Sequence, residues 1–338
     1  MLTGLRRRPW AGLEVVVALG LLGLASIAEA QPSADQVLTD AGLSAGDKQA
    51  VGSGQFVDVS ISGVSERDLS FATAFLVKSP PGALGREMES GDFVTADTQV
   101  KVFGELKGAG SLADLASLTL TDDEALTLVN AKPGEALNLS ASEMAAFRAL
   151  GGAAAPAVQE QLRRMLLARY QAYRASGLAG IAPYDRGSGR TGDLAADLRR
   201  ASQATQDIHV HLPGFQKVLL GYPQATLPGM QERFFWLKSV IHDETTYVLV
   251  HFLVAADGAA RVFARREYYV STGYNAEQTL AGFLPVQGGT MVISTVHAFT
   301  DQVTGFGGSI KRGIGSKVMA GQMKKIYEAE REKSEKAR

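Results

Sequence analysis

Thr246-Tyr247-Val248-Leu249-Val250-His251-Phe252-Leu253-Val254-Ala255 is the stretch on which the fold turns. It is too short and too rich in β-branched and aromatic residues for a buried helix, and nearly every side chain is apolar. That combination predicts a central strand covered on both faces. Its neighbours have the same period: Phe234 to Ile241, Arg261 to Ser271, Thr279 to Val286 and Thr290 to Phe299 each have strand length and strand composition. Asp257-Gly258 and Gly288-Gly289 lie between neighbouring runs and read as hairpin turns, so these pairs should be antiparallel. Five consecutive strands make a meander.

After Phe299 come Gly305-Phe306-Gly307-Gly308-Ser309 and a final helix. It carries two apolar stripes, Ile310, Ile314, Val318 and Met319, Met323, Ile326, Tyr327, which must lie on a surface. The meander is the nearest one. Residues 328–338 alternate in sign and read as a charged, exposed helix end.

Upstream of the meander, residues 31–54 read as a helical lead-in with Ser44 as a cap. Gln55 to Val77 is extended and stops at Pro80-Pro81-Gly82, and Thr98 to Gly104 alternates like a strand. Thr121-Asp122-Asp123-Glu124 and Ser140-Ala141-Ser142-Glu143 match the capping box, so the acids at 122–124 belong to a helix start rather than a metal site. Pro156 begins a long helix ending near Gly177, and Asp193 opens another. Residues 55–327 are expected to form a single α+β domain.

Residues 1–30 combine Arg6-Arg7-Arg8, an apolar run from Val15 to Ile27 and Ala28-Glu29-Ala30. This is the pattern of a cleavable secretory signal peptide, which predicts a periplasmic or secreted protein beginning near Gln31. The run is shorter than the roughly 20 residues of a spanning helix. No integral membrane segment is expected after cleavage. In such a compartment ATP-dependent kinases and dinucleotide dehydrogenases are excluded. The chain has no cysteine, so core packing rather than disulfides must hold it. A formal net charge of −1 gives no basis for a nucleic-acid partner.

The order of early strand, helices, curved meander and long C-terminal helix resembles the START-like, or helix-grip, superfamily, although no START sequence motif is matched. The resemblance covers about 55–327 and implies a sheet wrapped around the last helix, with an apolar cavity between them for a hydrophobic ligand. A second set of residues is similar to an uncharacterised family of secreted bacterial proteins: Tyr269-Val270-Ser271, Asp301, Gly305, Gly308 and Lys311-Arg312, with Tyr170 and Tyr173-Arg174-Ala175-Ser176-Gly177 upstream. Those relatives carry a basic residue shortly before the Asp, where this chain has Phe299-Thr300. The likeness implies organisation and no chemistry.

Signatures of chemistry are sparse. Gly308 and Gly313 have phosphate-loop spacing, but Ile314 occupies the lysine position. Gly42-Leu43-Ser44-Ala45-Gly46 matches a nucleophile elbow without a strand before it, and reads as a cap. His209-Val210-His211 places two imidazoles on one side of an extended segment but marks no third ligand. No cofactor or metal is expected. Lys311 and Arg312 oppose the dipole of the helix they open, so with Lys317 they are candidates to fix an anionic head group, and Asp301 is a further candidate binding residue beside them. Trp236 and Tyr269 are candidates to line a cavity. The leading expectation is a non-enzymatic binder of an apolar or amphiphilic small molecule. The alternatives are an envelope hydrolase using His209, His211 or His297 as base, and an envelope interaction module.

Overall fold

The computed structural model describes residues 33–336 except 91, 205–207, 242, 259 and 306. The signal-peptide reading of 1–30 falls outside the described residues. In chain order the elements are α1 (Ala34–Asp40), α2 (Ala45–Gly52), β1 (Val57–Val59), β2 (Asp68–Val77), α3 (Pro81–Ser90), β3 (Val100–Leu106), α4 (Asp122–Val129), α5 (Ala141–Arg148) and α6 (Ala155–Ser176). There follow β4 (Tyr184–Asp185), β5 (Thr191–Gly192), α7 (Leu194–Ala201), α8 (Pro213–Gly221), β6 (Gln231–Ile241), β7 (Glu244–Asp257), β8 (Ala260–Val270), β9 (Ala276–Val286), β10 (Gly289–Phe299) and α9 (Gly308–Lys336).

The fold is mixed α+β: an open, curved, antiparallel sheet of eight strands with a long C-terminal helix on it, consistent with a helix-grip-like arrangement. Strand order is β1-β2-β10-β9-β8-β7-β6-β3. The five-strand meander therefore keeps its sequence order, while β2 adds to one end of it and β3 to the other. β7 is an interior strand covered on both faces, as its apolar run predicts.

Strand alternation sorts the core into layers. Phe71, Phe75, Phe235, Phe252, Phe263 and Phe283 lie on the face covered by α3 and α9, with Met323 and Tyr327 packed on them. The opposite face carries Phe234, Trp236, Leu249 and Tyr268 against α4–α7, and Leu253, Val262 and Ile293 against α1, α2 and α8.

Helix starts follow local chemistry. Ser44–Asp47, Thr121–Glu124 and Ser140–Glu143 all form reciprocal capping boxes. Two of these carboxylates have a second role: Glu124 holds Lys238 at 2.8 Å, and Glu143 takes Arg169 through contacts of 2.7 and 2.6 Å.

The lead-in and the end of α9 both pack on the domain. The described residues 33–336 form one unit, because Val37, Leu38 and Val51 of the lead-in are buried against the sheet. The end of α9 is not fully exposed. Ser334 is buried, Arg331 donates to the Gly54 carbonyl at 2.9 Å, and Glu335 accepts from the Lys78 amide at 3.0 Å. Among the described residues no helix is long and apolar enough to cross a membrane.

Candidate functional site

The α9-covered face has two adjoining halves. On the apolar half, Phe75 and Val77 of β2, Phe263 of β8, Ala281 and Phe283 of β9 and Val292 of β10 form a floor. Leu84 and Met88 of α3 and Tyr327 of α9 roof it, and Glu330 and Arg331 stand at the rim. These residues enclose a cleft of about 30 Å³, room for roughly two water molecules. The rim is aromatic as well as charged. The Arg331 guanidinium lies 4.4 Å from the centre of the Phe56 ring, which stacks on Phe75 at 4.4 Å.

The polar half begins two residues further along β8. Glu267 and Glu277 are direct cross-strand partners on this face. Arg265 pairs with Glu267 and reaches Glu277 at 3.2 Å. Tyr274 donates to Glu267, and Thr279 donates to Glu277 at 3.1 Å. Burial pushes the Glu267 carboxyl up to about 7, Arg265 pulls it back, and the neighbouring Glu277 adds to the rise. For Arg265, burial opposes the charge but the Glu267 and Glu277 carboxylates outweigh it and raise its pKa. A second recess of about 10 Å³ brings Asp97 and Arg265 together beneath Met323 and Ile326 of α9. The face thus runs from hydrocarbon to a buried cluster with more acid than base.

None of the five residues expected from sequence lines this cleft. Trp236 is fully buried on the opposite face, where Nε1 donates to the Asp114 carbonyl at 2.8 Å. Tyr269 also points away from α9. A β-bulge leaves Tyr268 as an extra residue between the Leu249–Tyr269 and Val250–Glu267 pairs, turning Tyr269 under the Arg169 guanidinium, 4.3 Å from its ring centre.

Asp301 is a tie between loops, bonded to Arg186 at 3.0 Å and Arg67 at 3.4 Å. The cations missing just before it in sequence are supplied from far along the chain. Lys311 is exposed, and Arg312 turns inward to donate to the Glu66 carbonyl at 2.9 Å. At 1.5 Å per residue both lie more than about 20 Å along α9 from Tyr327.

The three candidate bases are held inside the fold or in an ion pair. His297 is buried and bonded to Asp68 at 2.7 Å, His209 is buried, and His211 lies 3.2 Å from Asp40. Ser44 is an N-cap whose Oγ accepts from the Asp47 amide. Among the described residues no group of three or more His, Asp or Glu is placed to hold a metal ion. Behind the sheet, Arg266 is fully buried and satisfied by Gln278, Ser202, Tyr173 and the Leu219 carbonyl. That network pins α6, α7 and α8 to the sheet rather than facing a cavity.

Sequence reasoning passed over Arg265, Glu267 and Glu277. Their signal was present: Arg265-Arg266-Glu267 puts charges on both faces of one strand, and a strand covered on both faces cannot send them all to water. No protein-family model matches the chain, and neither curated proteins nor solved structures give a match, so the reading of this site rests on its own residues.

Proposed function

We propose that the protein is a non-enzymatic binder of a single-chain amphiphile, taken up between the sheet and the α3–α9 roof. The observation that carries this reading is the passage, along β8, from Phe263 in the apolar cleft to Arg265 and Glu267 in the buried polar cluster. Such a face suits a hydrocarbon tail at one end and a hydrogen-bonding head at the other. Three acids, Asp97, Glu267 and Glu277, surround one arginine. That balance favours a neutral or cationic head over an anionic one, unlike the head first expected at Lys311 and Arg312.

A cleft of this size does not hold an amphiphile, so this reading requires the roof to part. α9 holds the sheet mainly through Ala320, Met323 and Tyr327. The signal-peptide pattern of residues 1–30 supports an envelope location for such a binder.

Thermal denaturation of the full chain tests the proposal, with dodecyl amphiphiles held below their micelle concentrations. Melting temperature should rise and saturate with monododecylglycerol. Ala281→Leu, which fills the cleft, should abolish the rise. No rise at any concentration, or an unchanged rise in Ala281→Leu, would sink the idea.

A further inference from the structure

The outer face of α9 carries a separate feature. Ile310, Ile314 and Val318 recur every four residues, so they form one stripe along the helix. They are 70%, 60% and 52% exposed, which makes them half of the exposed large hydrophobic residues described in the chain. The sheet is held instead by Met323 and Tyr327 on the other side of the helix. At 100° per residue Lys311 flanks the stripe on one side and Lys317 on the other, and Lys325 continues it by two turns. All three lysines are exposed and make no ion pair among the described residues. From Gln302 to Tyr327 the sequence has five cations and no acid. Acids return at Glu328, so the patch is Ile310 to Lys325, about 23 Å of helix.

An apolar stripe with cations on both flanks is what an interfacial helix presents to a bilayer: isoleucines enter the acyl boundary while lysines reach lipid phosphates. We infer that the outer face of α9 docks on an anionic phospholipid surface, through Ile310, Ile314 and Val318 flanked by Lys311, Lys317 and Lys325. Pairing with a second copy is disfavoured, because the stripe's flanking lysines would meet like charges from the partner. The inference stands apart from the amphiphile site, since none of these residues lines the cleft.

The chain has no cysteine, so a single introduced thiol reports from one chosen place. Ile314→Cys in the full chain, labelled with an environment-sensitive nitrobenzoxadiazole dye, is titrated with vesicles of phosphatidylcholine containing phosphatidylglycerol, and with phosphatidylcholine alone. Leu126→Cys, at another exposed apolar site on α4, is the control. Emission at 314 should shift to the blue and rise at least about twofold with anionic vesicles only, and the control should not respond. Adding K311Q, K317Q and K325Q should weaken partitioning on the order of a hundredfold. Equal responses at 314 and 126, equal responses to both vesicle types, or a shift driven by protein concentration without vesicles would each overturn the inference.

Discussion

Glu267 and Glu277 stand directly opposite one another on β8 and β9, both turned toward α9, with Arg265 bonded to each. Two like charges in that position repel, and burial adds to the cost of ionising either. Glu267 answers by holding its proton up to about pH 7.

The sign of the stability effect follows from proton counts. Between the ordinary carboxylate range and pH 7 the folded chain keeps the Glu267 proton and the unfolded chain has lost it, so stability falls as pH rises through that window. Glu267→Gln removes this loss. Relative to the parent it should gain roughly 2–3 kcal/mol between pH 5 and pH 8, read by urea denaturation at the two pH values.

His251 works in the opposite sense. Burial lowers its pKa to about 4, against partial support from Glu232 at 3.4 Å. Its stabilising contribution is present above the unfolded value of 6.5 and is lost as pH falls through 4. His251→Phe keeps the stacking with Phe234 but not the proton site. Its stability deficit against the parent should shrink by up to about 3 kcal/mol on acidification from pH 7 to pH 4, measured by the same denaturation series.

Gly104 has no room for a side chain. A β-carbon there would come within 2.5 Å of Trp236 Nε1. Gly104→Ala should cost about 2 kcal/mol or more and lower the melting temperature. Amphiphile affinity of the folded fraction should not change, because Trp236 lies behind the sheet from the cleft.

Head-group chemistry gives a further prediction. With the dodecyl chain constant, monododecylglycerol and dodecyltrimethylammonium should bind at least about tenfold tighter than laurate, since the acids around Arg265 disfavour a second anion. Isothermal titration of the three ligands decides this. Tightest binding by laurate would argue for a different head-group site.

The meander was legible because both its signals are local: alternation within each strand, and the turn glycines Gly258 and Gly288, although Asp257 and Gly289 are themselves paired strand residues, with Ala260 and Val286, so each turn lies one residue away from the expected dipeptide. The same holds for the capping boxes. Edge pairings were not legible, since β2 joins β10 and β3 joins β6 across more than a hundred residues.

Nor could the orientation of two key segments be read. The bulge at Tyr268 reverses the facing of Tyr269 relative to simple alternation. In α9 two apolar stripes compete for one sheet. The inner side wins where Gly315 lets the helix approach Leu69, to about 3.0 Å from a built β-carbon, and where Tyr327 bonds to Ser294 at 2.7 Å. Lys311 and Arg312 sit at the end of α9 away from the cleft, while the charges beneath the helix come from a strand whose alternation already called for a buried partner.

The proposed binding requires hydrocarbon to enter the space between Phe263 and Tyr327. A diazirine-bearing C12 amphiphile, crosslinked in the full chain and mapped by peptide mass spectrometry, tests this directly. Label should fall on Met88, Phe263, Phe283 and Tyr327 and be competed by monododecylglycerol. Label confined to exposed surface, or to the Trp236–Tyr269 side of the sheet, would contradict it.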